Sequence, residues 1–128
     1  STAMKKKERI IVTSGEFDFL DYNVIKFLNT CKSKGDWLIV GVHTDMFMEL
    51  CRGGYKNDYE KRVEMVMSVK SVDETFRFDD GDGTVCNLLK LVKHCYPMAE
   101  MTYISDIDMS KMPETRIRGI SFETMKQE

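Results

Sequence analysis

Six consecutive residues, Trp37-Leu38-Ile39-Val40-Gly41-Val42, carry no charge and show no alternation of polar and apolar side chains. A strand that is apolar on both faces has no side to give to water. It belongs inside a parallel sheet with helices packed above and below. A second apolar run, Ile10-Ile11-Val12, lies within Arg9 to Ser14 and ends at Gly15. Between the two runs, Asp21 to Lys34 sets Val24, Ile25, Phe27, Leu28 and Cys31 mostly along one helical stripe, and Gly35 ends it. Strand, helix and strand make one βαβ unit, complete by His43.

The rest of the chain extends this unit. Thr44-Asp45 caps a short helix through Leu50, and Arg52-Gly53-Gly54 makes a flexible loop, a candidate lid. Asp58 or Asn57 caps a further helix in which Val63, Val66, Met67 and Lys70 recur at helical spacing, ending near Ser71. Glu74 to Phe78 alternates as a third strand. The Asp79-Asp80-Gly81-Asp82-Gly83 turn then leads into a helix from Thr84 to His94. A fourth strand within Ala99 to Ser105 carries Ser105-Asp106 to the same sheet edge as Gly15. After Asp108 the pattern weakens, and Gly119 to Met125 reads equally as a last strand or a short helix. The expected fold is α/β: a Rossmann-like open, mostly parallel sheet of four to five strands with helices on both faces.

Composition narrows the function classes. The chain has 128 residues, 42% of them hydrophobic, which suits one core. Residues 1–8 read as a tag remnant, Ser1-Thr2-Ala3, and a basic leader containing Lys5-Lys6-Lys7; residues 9–128 read as a single domain. Nineteen basic against 21 acidic residues argue against nucleic acid held by bulk charge. No apolar run approaches the ~20 residues that span a bilayer, so no membrane partner is expected. Cys31, Cys51, Cys86 and Cys95 form no Cys-x-x-Cys pair, which argues against a cysteine-held metal and fits reduced thiols in the cytoplasm.

Several short motifs fall in one order. The strand followed by Gly15-Glu16-Phe17-Asp18 and a helix resembles the opening of the cytidylyltransferase family, the glycerol-3-phosphate cytidylyltransferases and their relatives. Gly35-Asp36-Trp37-Leu38-Ile39-Val40 with Thr44-Asp45 resembles the family's second strand and the Asp after it. Tyr59-Glu60-x-Arg62 and Ser71-Val72-Asp73-Glu74 are similar to its Glu-x-Arg helix and Val-Asp-Glu segment. Asp79 to Leu88 is similar to the turn of one branch, in which the next strand ends in Gly-Gly-Asp; here Asp106 alone keeps the acid. Together these cover roughly residues 9 to 108. The family's opening motif continues His-x-Gly-His, whereas this chain has Asp21-Tyr22-Asn23-Val24, without either histidine. Arg116 and Ile120-Ser121 align with the closing Arg and Ile-Ser motif, which opens the last helix onto the triphosphate. A second alignment makes Met112-Pro113-Glu114 a loop before a strand, so that the chain ends before that motif.

The resemblance implies a transfer of CMP from CTP to a phospho-alcohol or sugar phosphate with release of pyrophosphate. Such chemistry needs two substrates held in line and donors aimed at charge developing on the α-phosphate. Losing one preorganised donor typically costs about two to three orders of magnitude in rate. A carboxylate at position 21 faces phosphates with like charge, and Val24 cannot donate. The expectation is therefore a family domain with lost or much reduced transferase activity and a retained nucleotide or phosphate site; the alternative is an active nucleotidyltransferase. Candidate catalytic residues are Asp21, Asn23 and His43. Candidate nucleotide- or phosphate-binding residues are Ser14, Gly15, Glu16, Phe17, Asp18, Arg52, Arg62, Asp106, Arg116 and Ser121. Asp18 serves equally as a helix cap, and Arg62 as a surface partner of Glu60 or Asp58. The three aspartates at 79, 80 and 82 are read as turn residues, lacking the spacing of a calcium loop. Mg²⁺ is expected only with a bound nucleotide, with no metal held by the protein alone. A homodimer contact is expected around Val72, Asp73, Glu74 and Phe76.

Overall fold

The two apolar runs pair side by side as parallel strands, β1 (Arg9–Gly15) and β2 (Trp37–Val42), with Ile11 opposite Leu38 and Thr13 opposite Val40. The computed structural model describes residues 7–127; Ser1-Thr2-Ala3, read above as a tag remnant, and the lysines at 5 and 6 lie outside the described residues. Three further parallel strands, β3 (Glu74–Arg77), β4 (Glu100–Ser105) and β5 (Ile120–Thr124), complete the order β3-β2-β1-β4-β5. The chain adds strands first to one side of β1 and then to the other. The carboxyl ends of β1 and β4 therefore flank the point where direction reverses, the place where open α/β sheets hold ligands.

Both faces are covered because both are apolar. Helices α1 (Tyr22–Ser33) and α3 (Tyr59–Met67) bury Phe27, Leu28, Cys31 and Val66 against Ile11, Leu38, Val40 and Ile104. On the other face, α4 (Cys86–Cys95) sets Leu88, Leu89 and Val92 against Ile10, Val12, Ile39 and Met101. Each such side chain contributes about 1.5–3 kcal/mol relative to exposure. Gly41 allows the close approach of α4: a β-carbon there would stand 2.5 Å from a Leu88 methyl. The short α2 (Asp45–Arg52) buries only Met48. Side-chain caps start three helices: Asp21 on α1, Thr44 on α2 and Asp58 on α3.

Two details depart from the sequence reading, and one choice it left open, strand or helix after Gly119, is decided for the strand. The buried stripe of α3 passes through Arg62 and Val66 and continues to Val69, whereas Met67 and Lys70 face outward. The segment after Asp108 forms a 3₁₀ turn (Pro113–Arg116) and then β5, which pairs with β4 from Met101↔Ile120 to Ser105↔Thr124. Ser121 thus lies exposed in a strand opposite Thr102, not at the start of a helix, which favours the second of the two alignments. Val72 and the Asp73 side chain turn into the protein, where Asp73 accepts from Lys32 and the Leu38 amide. No helix among the described residues is long and apolar enough to cross a membrane.

Candidate functional site

At the carboxyl ends of β1 and β4 the chain encloses a cleft of about 580 Å³. Its floor is the end of β1 and the turn after it, Ser14 to Asp18. Phe17 adopts a left-handed backbone (φ 54°), uncommon for a non-glycine residue, and folds its ring back over Gly15. A β-carbon at Gly15 would meet that ring at 2.9 Å, so the glycine permits the turn. Asp18 holds the turn to the segment before α3. Its two carboxylate oxygens each accept a 2.7 Å bond, from the amides of Lys56 and Asn57. Partial burial pulls its pKa upward, but those amides together with the charges of Arg62 and Lys56 outweigh it and hold the carboxyl below its usual value.

Below the floor lies Arg62, with no solvent exposure. Its Nη1 donates to the carbonyls of Glu16 (2.9 Å) and His43 (2.7 Å), its Nε to Asn57 (2.9 Å), and its Nη2 to Asp45 (2.8 Å). One guanidinium thus ties together the β1 turn, the end of β2, the start of α2 and the loop before α3. Neither sequence-based role, a phosphate ligand or a surface partner of Glu60 or Asp58, matches this burial.

One bank of the cleft comes from β2 and β3. His43 stacks on Phe47, with ring centroids 3.9 Å apart, and its Nδ1 lies 2.8 Å from Asp80. Asp80 is itself buried and accepts from the Thr44 amide and hydroxyl, and that hydroxyl in turn caps α2 at Phe47. Burial lowers the His43 pKa, and the hydrogen bond and charge of Asp80 offset only part of that. The neutral ring is therefore favoured. When Nδ1–H donates to Asp80, Nε2 is left as an acceptor. At the mouth, Arg52 pairs with Glu16 at 2.7 Å.

The opposite bank comes from β4 and the segment beyond it. Tyr103 Oη lies 2.6 Å from Ser14 Oγ, and burial raises the tyrosine to about 12. Glu114, on the 3₁₀ turn, accepts the Val85 amide at 2.9 Å and so caps α4, which has no side-chain cap of its own. Its second oxygen is buried and has no hydrogen-bond partner among the described residues.

Of the candidate residues, the cleft brings together Ser14, Gly15, Glu16, Phe17, Asp18, His43, Arg52 and Asp106. It does not bring in Asp21, whose carboxylate is occupied by capping the Val24 amide, nor Asn23, which borders a separate small depression on α1. Arg116 and Ser121 are exposed and line neither cavity. The sequence reading missed Asp80, Tyr103 and Glu114. For Asp80 a signal existed, since it and His43 follow neighbouring parallel strands; Glu114 carried none. No group of three or more His, Cys, Asp or Glu side chains among the described residues is arranged to hold a metal ion.

A switch-point cleft floored by a strand-turn-helix is the place where open α/β sheets hold their ligands. No family model matches the chain. It is 34% identical over 91 residues to the bifunctional protein HldE of a Nitratiruptor species, a match covering 70% of this chain and 19% of that protein. It is 36% identical over 63 residues to the glycerol-3-phosphate cytidylyltransferase of Staphylococcus aureus, covering 49% of this chain and 48% of the enzyme. The chain thus spans about a fifth to a half of the length of these relatives. The crystal structure of the lipopolysaccharide core biosynthesis protein from Thermoplasma volcanium superposes with a TM-score of 0.68 at 23% identity, covering 93% of this chain and 98% of the other, a likeness of fold. The chain belongs to the cytidylyltransferase-like nucleotidyltransferase family.

Proposed function

We propose that this domain keeps the family's nucleotide or phosphate cleft while the usual transferase chemistry is lost or much reduced. The observation that carries this reading is the start of α1. Where the resemblance calls for two histidine donors, Asp21 is engaged by the Val24 amide and Val24 offers no donor. The surrounding charge points the same way. Arg62 directs its side-chain hydrogen bonds to protein carbonyls and Asp45, Arg52 is paired with Glu16, and Glu16, Asp18, Asp106 and Glu114 all border the cleft. A triphosphate entering here meets few uncommitted cations. The carboxylates do not assemble a cage for Mg²⁺, since both oxygens of Asp18 are taken by amides; the ion would arrive with nucleotide phosphates.

The test is pyrophosphate release from CTP and ATP across phospho-alcohols and sugar phosphates, paired with calorimetric titration of CTP and Mg²⁺. The reading expects no turnover and weak binding that maps to Gly15 to Asp18. Steady turnover would sink the first half of it, and no binding at millimolar CTP the second. Asp21→His with Val24→His asks whether the frame still supports transfer.

A second reading, an active transferase with a rebuilt site, is favoured by one feature: the His43–Asp80 pair, which presents a neutral imidazole to the cleft. Turnover abolished by His43→Gln would select it. For assembly, the edge strand β3 offers a homodimer contact. Glu74 and Phe76 are half-buried members of that strand and Val72 and Asp73 lie just before it, turned inward, and a monomer in sedimentation would remove this contact.

A further inference from the structure

At the end of the sheet away from the cleft, three side chains meet where β2 and β3 begin and α4 has just ended. Trp37 opens β2, Glu74 opens β3, and Tyr96 is the residue after α4. Both ring donors converge on one carboxylate oxygen. Trp37 Nε1 donates to Glu74 Oε1 at 3.0 Å, and the Tyr96 hydroxyl donates to the same oxygen at 2.6 Å. Burial, followed by the hydrogen bond and charge of Glu74, pushes the tyrosine up to about 12, so it stays a neutral donor to that oxygen. Each ring is held by its polar edge, which fixes where its face points.

A cation already stands against both faces. The Lys7 ammonium lies 4.5 Å from the centroid of the Trp37 ring and 5.5 Å from that of Tyr96, within reach of both ring quadrupoles. Lys7 is exposed, and among the described residues ring faces alone hold its ammonium. A primary ammonium makes poor use of such a place, because it is strongly hydrated and the faces cannot replace in full the hydrogen bonds it makes to water. A methylated ammonium carries the same charge with fewer N–H groups or none. It gives up less water and lays its methyl groups on both rings. An anion is excluded by Glu74 and by the negative ring faces, and a neutral apolar group gains nothing from the carboxylate.

We propose that Trp37, Tyr96 and Glu74 form a binding site for a methylated alkylammonium group, with Lys7 as the chain's own competing occupant. The site is separate from the cleft, which lies at the opposite ends of the strands, and does not depend on the function given to that cleft. Filling it from outside displaces Lys7 and frees the segment before β1. The methylated group comes from either of two sources, a free small cation or a methylated lysine side chain.

Trp37 is the one tryptophan in the chain, so its fluorescence reads the site directly. Tetramethylammonium chloride is titrated into the full chain against sodium chloride at matched ionic strength and against neopentyl alcohol, a neutral group of similar shape. A saturable change is expected for the cation only, with a Kd on the order of millimolar that tightens severalfold in Lys7→Gln. Tyr96→Leu removes one ring face and weakens binding about tenfold. Glu74→Gln keeps a carbonyl for both ring donors, so the rings are expected to stay in place while the lost charge weakens binding severalfold. Nε-trimethyllysine, blocked at its backbone groups, separates the sources. An affinity equal to that of tetramethylammonium assigns the site to a free cation, and a gain of about tenfold assigns it to a side chain whose stem follows that of Lys7. Lysine blocked in the same way binds more weakly than its trimethylated form. No saturable change in Lys7→Gln, an equal response to the neutral alcohol, equal binding of lysine and trimethyllysine, or an affinity unmoved by both Tyr96→Leu and Glu74→Gln overturns the site.

Discussion

The two banks of the cleft handle buried charge in opposite ways. On the β2 side, Arg62 is fully buried and its hydrogen bonds run to three carbonyls and one carboxylate, while Asp80 accepts from His43 and from both donors of Thr44. On the β4 side, Glu114 is almost as buried, yet one of its oxygens has no partner among the described residues. A saturated charge is part of the frame, because any ligand would have to break existing bonds to reach it. An unsaturated one is held ready, because an unmade bond in a dry site leaves the group's desolvation uncompensated until a partner arrives. The difference separates the residues that shape this cleft from those able to recognise something in it.

The sharpest way to break the comparison is Arg62→Met. The methionine fills much of the volume but strands the carbonyls of Glu16, His43 and Asn57 and unpairs Asp45. Loss of one partner from a buried charge network costs about 3–5 kcal/mol. Denaturant unfolding should show a loss of that size; a change below about 1 kcal/mol would mean that Arg62 is not the tie described. Asp80→Ala comes next. It frees the Thr44 amide and hydroxyl and the Nδ1 of His43, at about 1–3 kcal/mol, and the start of α2 should lose amide protection ahead of the rest of the chain.

These two residues also mark where the sequence stopped being informative. The apolar runs of β1 and β2 and the Asp21, Thr44 and Asp58 caps were legible because propensity, burial and hydrogen bonding all favour the same local structure. Arg62 was not, because a charged residue in a helix is ordinarily assigned to its wet face. Its position four residues before Val66 put it on the buried stripe all along. Asp80 sat among three aspartates in a turn, and two of them do behave as turn residues: Asp79 accepts the Gly81 amide and Asp82 the Thr84 amide. Only its neighbour across the sheet, 37 residues away, distinguishes it. Glu114 lies where one alignment placed a loop before a last strand, but nothing in that stretch tied it to the start of α4, because the Val85 amide that it accepts is 29 residues away.

A milder test stays on the β2 side and compares its two arginines. Unlike Arg62, Arg52 is largely exposed, and its partner Glu16 is partly so. Exposed pairs of this kind contribute about 0–1 kcal/mol, so Glu16→Gln should scarcely move the unfolding midpoint. It should nevertheless release a guanidinium at the cleft mouth. Pyrophosphate titrated into Glu16→Gln should bind more tightly than to the parent chain, and Arg52→Gln in the same background should cancel the gain. An unchanged pyrophosphate affinity would show that this ion pair does not compete with anions.

The smallest expected effect is a pH dependence carried by His43. Its pKa in the fold lies below the ordinary value of 6.5 because burial penalises the imidazolium more than Asp80 favours it. The unfolded chain therefore binds more protons than the folded one once pH falls below about 6.5, and stability falls with it. The contribution of the neutral ring is complete above the unfolded value and is lost as pH drops through the folded one. His43→Gln removes that dependence, so between pH 7 and pH 5 the parent should lose more thermal stability than the variant, with the carboxylates common to both cancelling. Removing Asp80 takes away what raises the histidine, so Asp80→Asn should move the imidazole titration, followed by its carbon-bound proton resonances, still lower. If the titration moves upward instead, the aspartate is not stabilising the imidazolium, and the β2 bank is a packed wall instead of a coupled pair.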